Sequence, residues 1–277
     1  FKPPMEEVAG RRSGVVAGTR TTTSARKARK VLVETLEAGE PLMIQCDMGF
    51  LPYFDFGGEA YHFGGHVVVV CGYDAASDQV LVADRDEALH PVSMEDLAKA
   101  RGSTFRPFPP KNLWYTFDFA SLRPPLAGEV RLSILEMAQS MLEPPIRNIG
   151  VKGIRKAAQM VPKWPEKLDA DGLRFALFNA WVFISPKGGT GGGCFRYMLS
   201  RYLREAAEIT GAPGLEKSAD EFEGIGDGWQ EVAEWFRQTS EADEPGALLG
   251  EGAPALTELA EREERAWQGM RKLVQNE

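Results

Sequence analysis

The sequence predicts an α+β fold: helices and a mainly antiparallel sheet over residues 1–121, then an all-helical region over 122–277. Three observations predict it. Short apolar runs of strand length, separated by turn residues, fill the first part. Pro124-Pro125 marks a boundary. After that boundary the apolar pattern changes to helical periods.

The 277 residues suffice for one large domain or two ordinary ones. Hydrophobic residues at 43% and charged residues at 26% are a globular balance. A formal net charge of −8 argues against nucleic acid as a partner, because phosphate binding needs a basic surface. No apolar run reaches membrane-spanning length, and no signal peptide is visible. The three cysteines, Cys46, Cys71 and Cys194, form neither a disulfide framework nor a zinc pattern. A reducing, cytoplasmic compartment is the expectation.

Residues 1–23 are polar and glycine-containing and read as mostly loop. Ser24 is placed to cap a helix reaching Glu37, with Ala28, Val31, Leu32 and Leu36 on one face and Gly39 ending it. Pro41–Asp47, His66–Tyr73 and Gln79–Asp84 read as strands, the last two joined by a hairpin-type connection. Ser93 caps a short helix over Met94–Ala100, with Glu95 and Asp96 in its first turn. Asn112–Phe119 alternates as a strand does. Helical periods then run through Ala127–Leu142, Ile149–Val161, Ala170–Ile184, Gly192–Thr210, Ser218–Thr239 and Ala253–Val274. The stretch Glu241–Pro254 reads as an exposed loop.

The chemistry gathers around His66-Val-Val-Val-Val-Cys-Gly-Tyr-Asp74 and Val80-Leu-Val-Ala-Asp84. Antiparallel pairing of these runs puts His66 near Asp84, at the same end of two strands. A carboxylate there would hold the imidazole tautomer, as the third member of a nucleophile–base–acid triad does. The plainer reading is a half-exposed histidine at a strand end beside a strand-terminal aspartate. His62 lies close enough in sequence to share a site with His66. A metal reading of the two needs a third ligand such as Asp47 or Asp84.

A nucleophile is harder to place. Cys46 sits inside an apparent strand, away from the helix N-terminus where thiols are activated, and reads as a small buried hydrophobe. Cys71 lies within the His66 strand and reads as core. Cys194 follows Gly188-Gly-Thr-Gly-Gly-Gly193 at a helix start and could be a reactive thiol. That glycine run has two readings. With Arg196 it could receive a carboxylate, phosphate or phosphopantetheine arm; alternatively it allows a close backbone approach that excludes a Cβ. It is not a Walker A loop, since no Lys-Ser/Thr follows. The loop from Asp47 to His62 carries Phe50, Tyr53, Phe54, Phe56 and Tyr61 with Asp47, Asp55 and Glu59. It reads either as a substrate wall suited to an amine-bearing molecule or as a loop tucked onto the core.

Pro41-Leu-Met-Ile-Gln-Cys-Asp-Met-Gly-Phe-Leu-Pro-Tyr53, His62-Phe-Gly-Gly-His66 with Gly72-Tyr-Asp74, Val82-Ala-Asp-Arg85 and Val92–Arg101 resemble the N-terminal domain family of butirosin biosynthesis protein H. Gly189-Thr-Gly-Gly-Gly-Cys-Phe-Arg196 with Tyr202–Ala207 resembles the helical domain that often follows it. The resemblance implies a papain-like fold, related to cysteine peptidases. It implies a cytoplasmic acyltransferase of antibiotic biosynthesis, moving an acyl group from a carrier-protein thioester to an amine acceptor. His66 would then be the general base and Asp84 its orienter. Asp47, Tyr53, His62, Arg85 and Arg196 are the candidate substrate contacts. No metal or redox cofactor is implied. The partners implied are an acyl carrier protein with its phosphopantetheine arm and an amine-bearing small molecule. The family's nucleophilic cysteine has no match here, and the expectation is that it lies upstream of Phe1. A peptidase or amidase, or a non-catalytic binding protein of the same fold, are the alternatives.

Overall fold

The computed structural model describes residues 5–55, 61–188 and 190–275. The chain forms two compact units that divide between Pro124 and Pro125.

The first unit is built on one six-stranded antiparallel sheet. Its elements in chain order are α1 (Met5–Ser13), β1 (Val16–Arg20), α2 (Ala25–Glu37), β2 (Leu42–Cys46), β3 (His66–Asp74), β4 (Gln79–Ala83), β5 (Leu89–Ser93), α3 (Met94–Gly102) and β6 (Trp114–Asp118). The strand order is β1-β6-β2-β3-β4-β5. Period-two alternation puts Leu42, Ile44 and Cys46, Val68 and Val70, and Val80 and Val82 on one buried face. Leu32 of α2 and Met94, Leu97 and Ala100 of α3 pack into the same core. The opposite face carries Val67, Leu81 and Phe117, all exposed. Cys71 lies there too and is exposed, so the core role expected for it is wrong. It stands at a register shift between Val70 and Gly72, where the bulged strand turns both Cys71 and Gly72 toward the Leu81 face.

Two short elements fill the stretch expected as loop. Helix α1 has Glu6 and Glu7 in its first turn and Arg11 and Arg12 in its last, which suits the helix dipole, but it buries only Gly10. β1 pairs with β6 from Val16↔Asp118 to Arg20↔Trp114. β5, also unforeseen, pairs with β4 from Gln79↔Ser93 to Ala83↔Leu89. Both are edge strands whose pairing comes from tertiary context rather than from an apolar run. The caps follow the sequence reading: Ser24 accepts from Lys27 N and Ser93 from Asp96 N.

The second unit is all helical: α4 (Ala127–Leu142), α5 (Gly150–Met160), α6 (Ala170–Ile184), α7 (Arg196–Thr210), α8 (Gly214–Glu241) and α9 (Pro245–Gln275). Its core includes Ile134, Leu177, Leu203, Phe222, Ile225 and Met270. Only residues 242–244 lie between the helices, and most of the exposed loop expected over Glu241–Pro254 is instead the start of α9. Leu249 is fully buried there, and Gly252 lies under the Trp235 ring so closely that a Cβ would sit 2.4 Å from it. Tertiary packing overrides the weak local helix preference of this Gly- and Pro-rich segment. Among the described residues no helix is long and apolar enough to cross a membrane.

Candidate functional site

β3 and β4 converge on the site. His66 opens β3, and Asp84 directly follows β4. His66 shares the parity of Val68 and Val70, and Asp84 that of Val80 and Val82, so both side chains lie on the core-facing side at one end of the sheet. The Val69↔Ala83 register brings them together. His66 Nε2 lies 2.9 Å from Asp84 Oδ1 and 2.8 Å from Oδ2. The pair is nearly enclosed, with side-chain exposures of 14% and 5%.

This contact fixes the imidazole's role. An ionised carboxylate only accepts, so Nε2 carries the hydrogen, and in the neutral imidazole Nδ1 keeps the lone pair. Among the described residues Nδ1 has no hydrogen-bond partner. Burial alone would raise the Asp84 carboxyl. The hydrogen bond and charge of His66, the Tyr53 hydroxyl and the Arg85 cation outweigh it and hold the group below the ordinary carboxylate value.

The loop after β2 closes over this pair. Tyr53 Oη donates to Asp84 Oδ2 at 3.0 Å. Phe54 meets the His66 ring edge-on at 5.6 Å, and the Arg85 guanidinium lies over Phe54 at 4.7 Å. Tyr53 and Arg85, expected as substrate contacts, therefore stand as neighbours of Asp84. Phe56 and Glu59 of this loop lie outside the described residues, as does Gly189.

Asp47 and His62 do not join His66. Asp47 is fully buried and accepts four hydrogen bonds: Gly49 N and Phe63 N at 3.0 Å each on Oδ1, Ser103 Oγ at 2.5 Å and His62 Nδ1 at 3.0 Å on Oδ2. His62 stacks flat on Phe105 at 3.4 Å. Asp47, expected as a substrate contact, is thus the tie that holds both ends of the loop, with its oxygens occupied out of solvent. His66 and His62 each have their own carboxylate, and no group of three or more His, Cys, Asp or Glu among the described residues could hold a metal ion.

Neither cysteine of the sheet unit meets the lone pair of His66 as an activated thiol. Cys46 faces His66 across β2 and β3, but it is fully buried. Burial, with the charges of Asp84 and Asp47, pushes its thiol far above the ordinary value. Cys71 is on the other face of the sheet. Cys194 belongs to the helical unit, and burial raises its thiol as well.

The glycine run proves to be a packing device. Gly191, Gly192, Gly193, Cys194 and Phe195 all have positive φ, and α7 begins only at Arg196. A Cβ on Gly193 would lie 2.9 Å from Gly226 Cα and from the Tyr197 ring. Arg196, expected to help bind an anion, is instead 2.6 Å from Glu263, which is fully buried and also accepts from Trp229 Nε1 at 2.8 Å and Trp267 Nε1 at 2.7 Å. That ion pair consumes the guanidinium within the helical core.

Sequence reasoning overlooked Ser103 and the Tyr53–Asp84 bond. The single signal for the latter was an aromatic with a hydroxyl in the loop between two strands that meet at the site. The Gly64-Gly65 pair beside His66 now has a cause: a Cβ on Gly64 would lie 2.2 Å from Phe108 O. Gln45 Nε2 further ties this turn by donating to Gly64 O at 2.7 Å.

The fold and site define a two-part protein, with a His–Asp pair on an antiparallel sheet and a helical unit behind it in the chain. Residues 3–85 match the family described as butirosin biosynthesis protein H, N-terminal. Residues 95–270, more than half of the chain, match the family described as domain of unknown function DUF4872. The chain therefore belongs to the DUF4872 family, with a butirosin biosynthesis protein H N-terminal match preceding that region. No curated protein matches the chain.

Proposed function

We propose that the protein is a cysteine-dependent acyltransferase of antibiotic biosynthesis, moving an acyl group from a carrier-protein thioester to an amine. The observation that carries this reading is the His66 imidazole, held by Asp84 through Nε2 at 2.8 and 2.9 Å with its Nδ1 lone pair uncommitted. The family match to butirosin biosynthesis protein H supports the pathway class.

In this reading Nδ1 of His66 takes the proton of a thiol, and the thiolate attacks the thioester carbonyl. The carrier's phosphopantetheine thiol leaves with that proton, giving an acyl-enzyme thioester. His66 then deprotonates the incoming amine, which displaces the enzyme thiolate and forms the amide. Asp84 stabilises the imidazolium formed at both steps and stays ionised throughout. Hydrolysis would differ only in water replacing the amine. Cys46 is buried and Cys71 lies on the other face of the sheet, so the proposal takes its nucleophile from a cysteine outside these 277 residues.

The test is product analysis with the full natural chain, acyl-carrier thioesters and a panel of amines. Amide should form, and His66→Ala should slow it by about 10²–10⁴-fold, the usual worth of a positioned base. Amide formation at an unchanged rate in His66→Ala, or no turnover of any thioester, would overturn the reading.

A further inference from the structure

The loop residue Tyr53 and the β5 residue His90 are tied together in a way that the His66–Asp84 pair does not need for packing alone. The Tyr53 ring lies stacked on the His90 imidazole, with centroids 4.1 Å apart and planes 21° from parallel. His90 is itself held, Nε2 to Asp86 Oδ1, at 2.9 Å. Asp86 is two residues beyond Asp84, so one short connection between β4 and β5 anchors both ends of the arrangement. The phenol seated on that platform reaches Asp84 Oδ2 at 3.0 Å, the same oxygen that lies 2.8 Å from His66 Nε2.

We infer that Tyr53, seated on the His90–Asp86 pair, is a positioning residue that fixes the Asp84 carboxylate and through it the orientation and tautomer of His66. Asp84 accepts from two directions, so its carboxylate plane cannot rotate without breaking one bond. Tyr53 remains a donor because burial, then the Asp84 charge and hydrogen bond, keep its phenol protonated well above the ordinary tyrosine value. Its share of the Asp84 charge also tempers the pull of that carboxylate on the imidazole. The charged and titratable groups facing Tyr53 are Asp84, Arg85 and Cys46, with His90 beneath it. The inference rests on the proposed base role of His66 for its meaning, but its test needs no activity.

The test is imidazole ¹⁵N and ¹³C NMR of His66 across a pH series, without substrate. In Tyr53→Phe the ring and its stacking stay while the hydroxyl goes. The His66 midpoint should rise by less than about one to two pH units, the equivalent of a hydrogen bond to a charged group at about 1.5–3 kcal/mol, because Tyr53 acts on the imidazole only through Asp84. The fraction of Nε2–H tautomer should also fall. His90→Gln should move both readings the same way by less. Tyr73→Phe, whose hydroxyl bonds Asp78 instead, should move neither. If Tyr53→Phe proves too unstable, Asp84→Asn supplies the reciprocal reading: the Tyr53 phenol should then ionise at lower pH than in the wild type. An unchanged His66 midpoint and tautomer in a folded Tyr53→Phe protein, or an unmoved Tyr53 phenol in Asp84→Asn, would overturn the inference. Either result would leave the acyl-transfer reading to its own assay.

Discussion

At the residue scale, two buried carboxylates do opposite work. Asp84 is held by His66 and Tyr53 at the mouth of the sheet, and its carboxyl lies below its ordinary value. A depressed carboxylate stabilises the fold fully above the unfolded-state value of about 4, and that contribution is lost as pH falls through the lower folded value. Asp84→Asn should therefore lose stability relative to wild type at pH 7 and converge with it in acid. Urea midpoints at several pH values would show this; a gap that stays constant down to about pH 2 would contradict it. Glu263 instead neutralises Arg196 inside the helical unit. Glu263→Gln leaves that guanidinium buried without its counter-charge, and should cost about 3–5 kcal/mol of stability in denaturant unfolding. The sequence made the His66–Asp84 pair legible through two strands of known parity and a short turn. It could not show Glu263, because a lone Glu in an amphipathic helix looks like any solvated charge until a partner 67 residues away closes on it.

At the element scale, helices with a cap or a continuous apolar stripe were readable, and those made by packing were not. α2 and α3 begin at the serines that cap them, and α4 and α6 run over the spans their periodicity predicts. α1, β1 and β5 lack such stripes, and the first turns of α9 hide behind glycines and prolines. The glycine run is the element most easily misread. An anion loop and a packing loop both need glycine, and what separates them is that a Cβ on Gly193 would lie 2.9 Å from Gly226 Cα. Gly193 also has φ +54°. Gly193→Ala should therefore destabilise the protein by about 2 kcal/mol or more, from left-handed strain and overpacking together. A shift in the denaturant midpoint at constant slope would measure it. Ser93→Ala removes the cap of α3 and should cost about 1 kcal/mol by the same measurement.

At the scale of the whole molecule, the family boundaries and the structural ones differ. The butirosin biosynthesis protein H match ends at residue 85, whereas the sheet continues through β5 and β6 to residue 118. β6 pairs with both β1 and β2, so without it β1 has no neighbour in the sheet. A fragment ending at residue 85 should lack cooperative unfolding, while one ending at 124 should retain it in thermal or urea melts; cooperative unfolding of the shorter piece would contradict this. The α+β class and the change to helices after Pro124-Pro125 were plain in the sequence because they depend on periodicity. The true extent of the sheet was not, since its edge strands are short and lack a continuous apolar run.

His66 is the base of the proposed acyl transfer, and intact mass spectrometry of the full natural chain tests that role most directly. Incubated with an acyl-carrier thioester and no amine, the wild type should gain the mass of one acyl group, and His66→Ala should gain it about 10²–10⁴-fold more slowly. Equal acylation of wild type and His66→Ala, or no adduct with any thioester, would contradict the account.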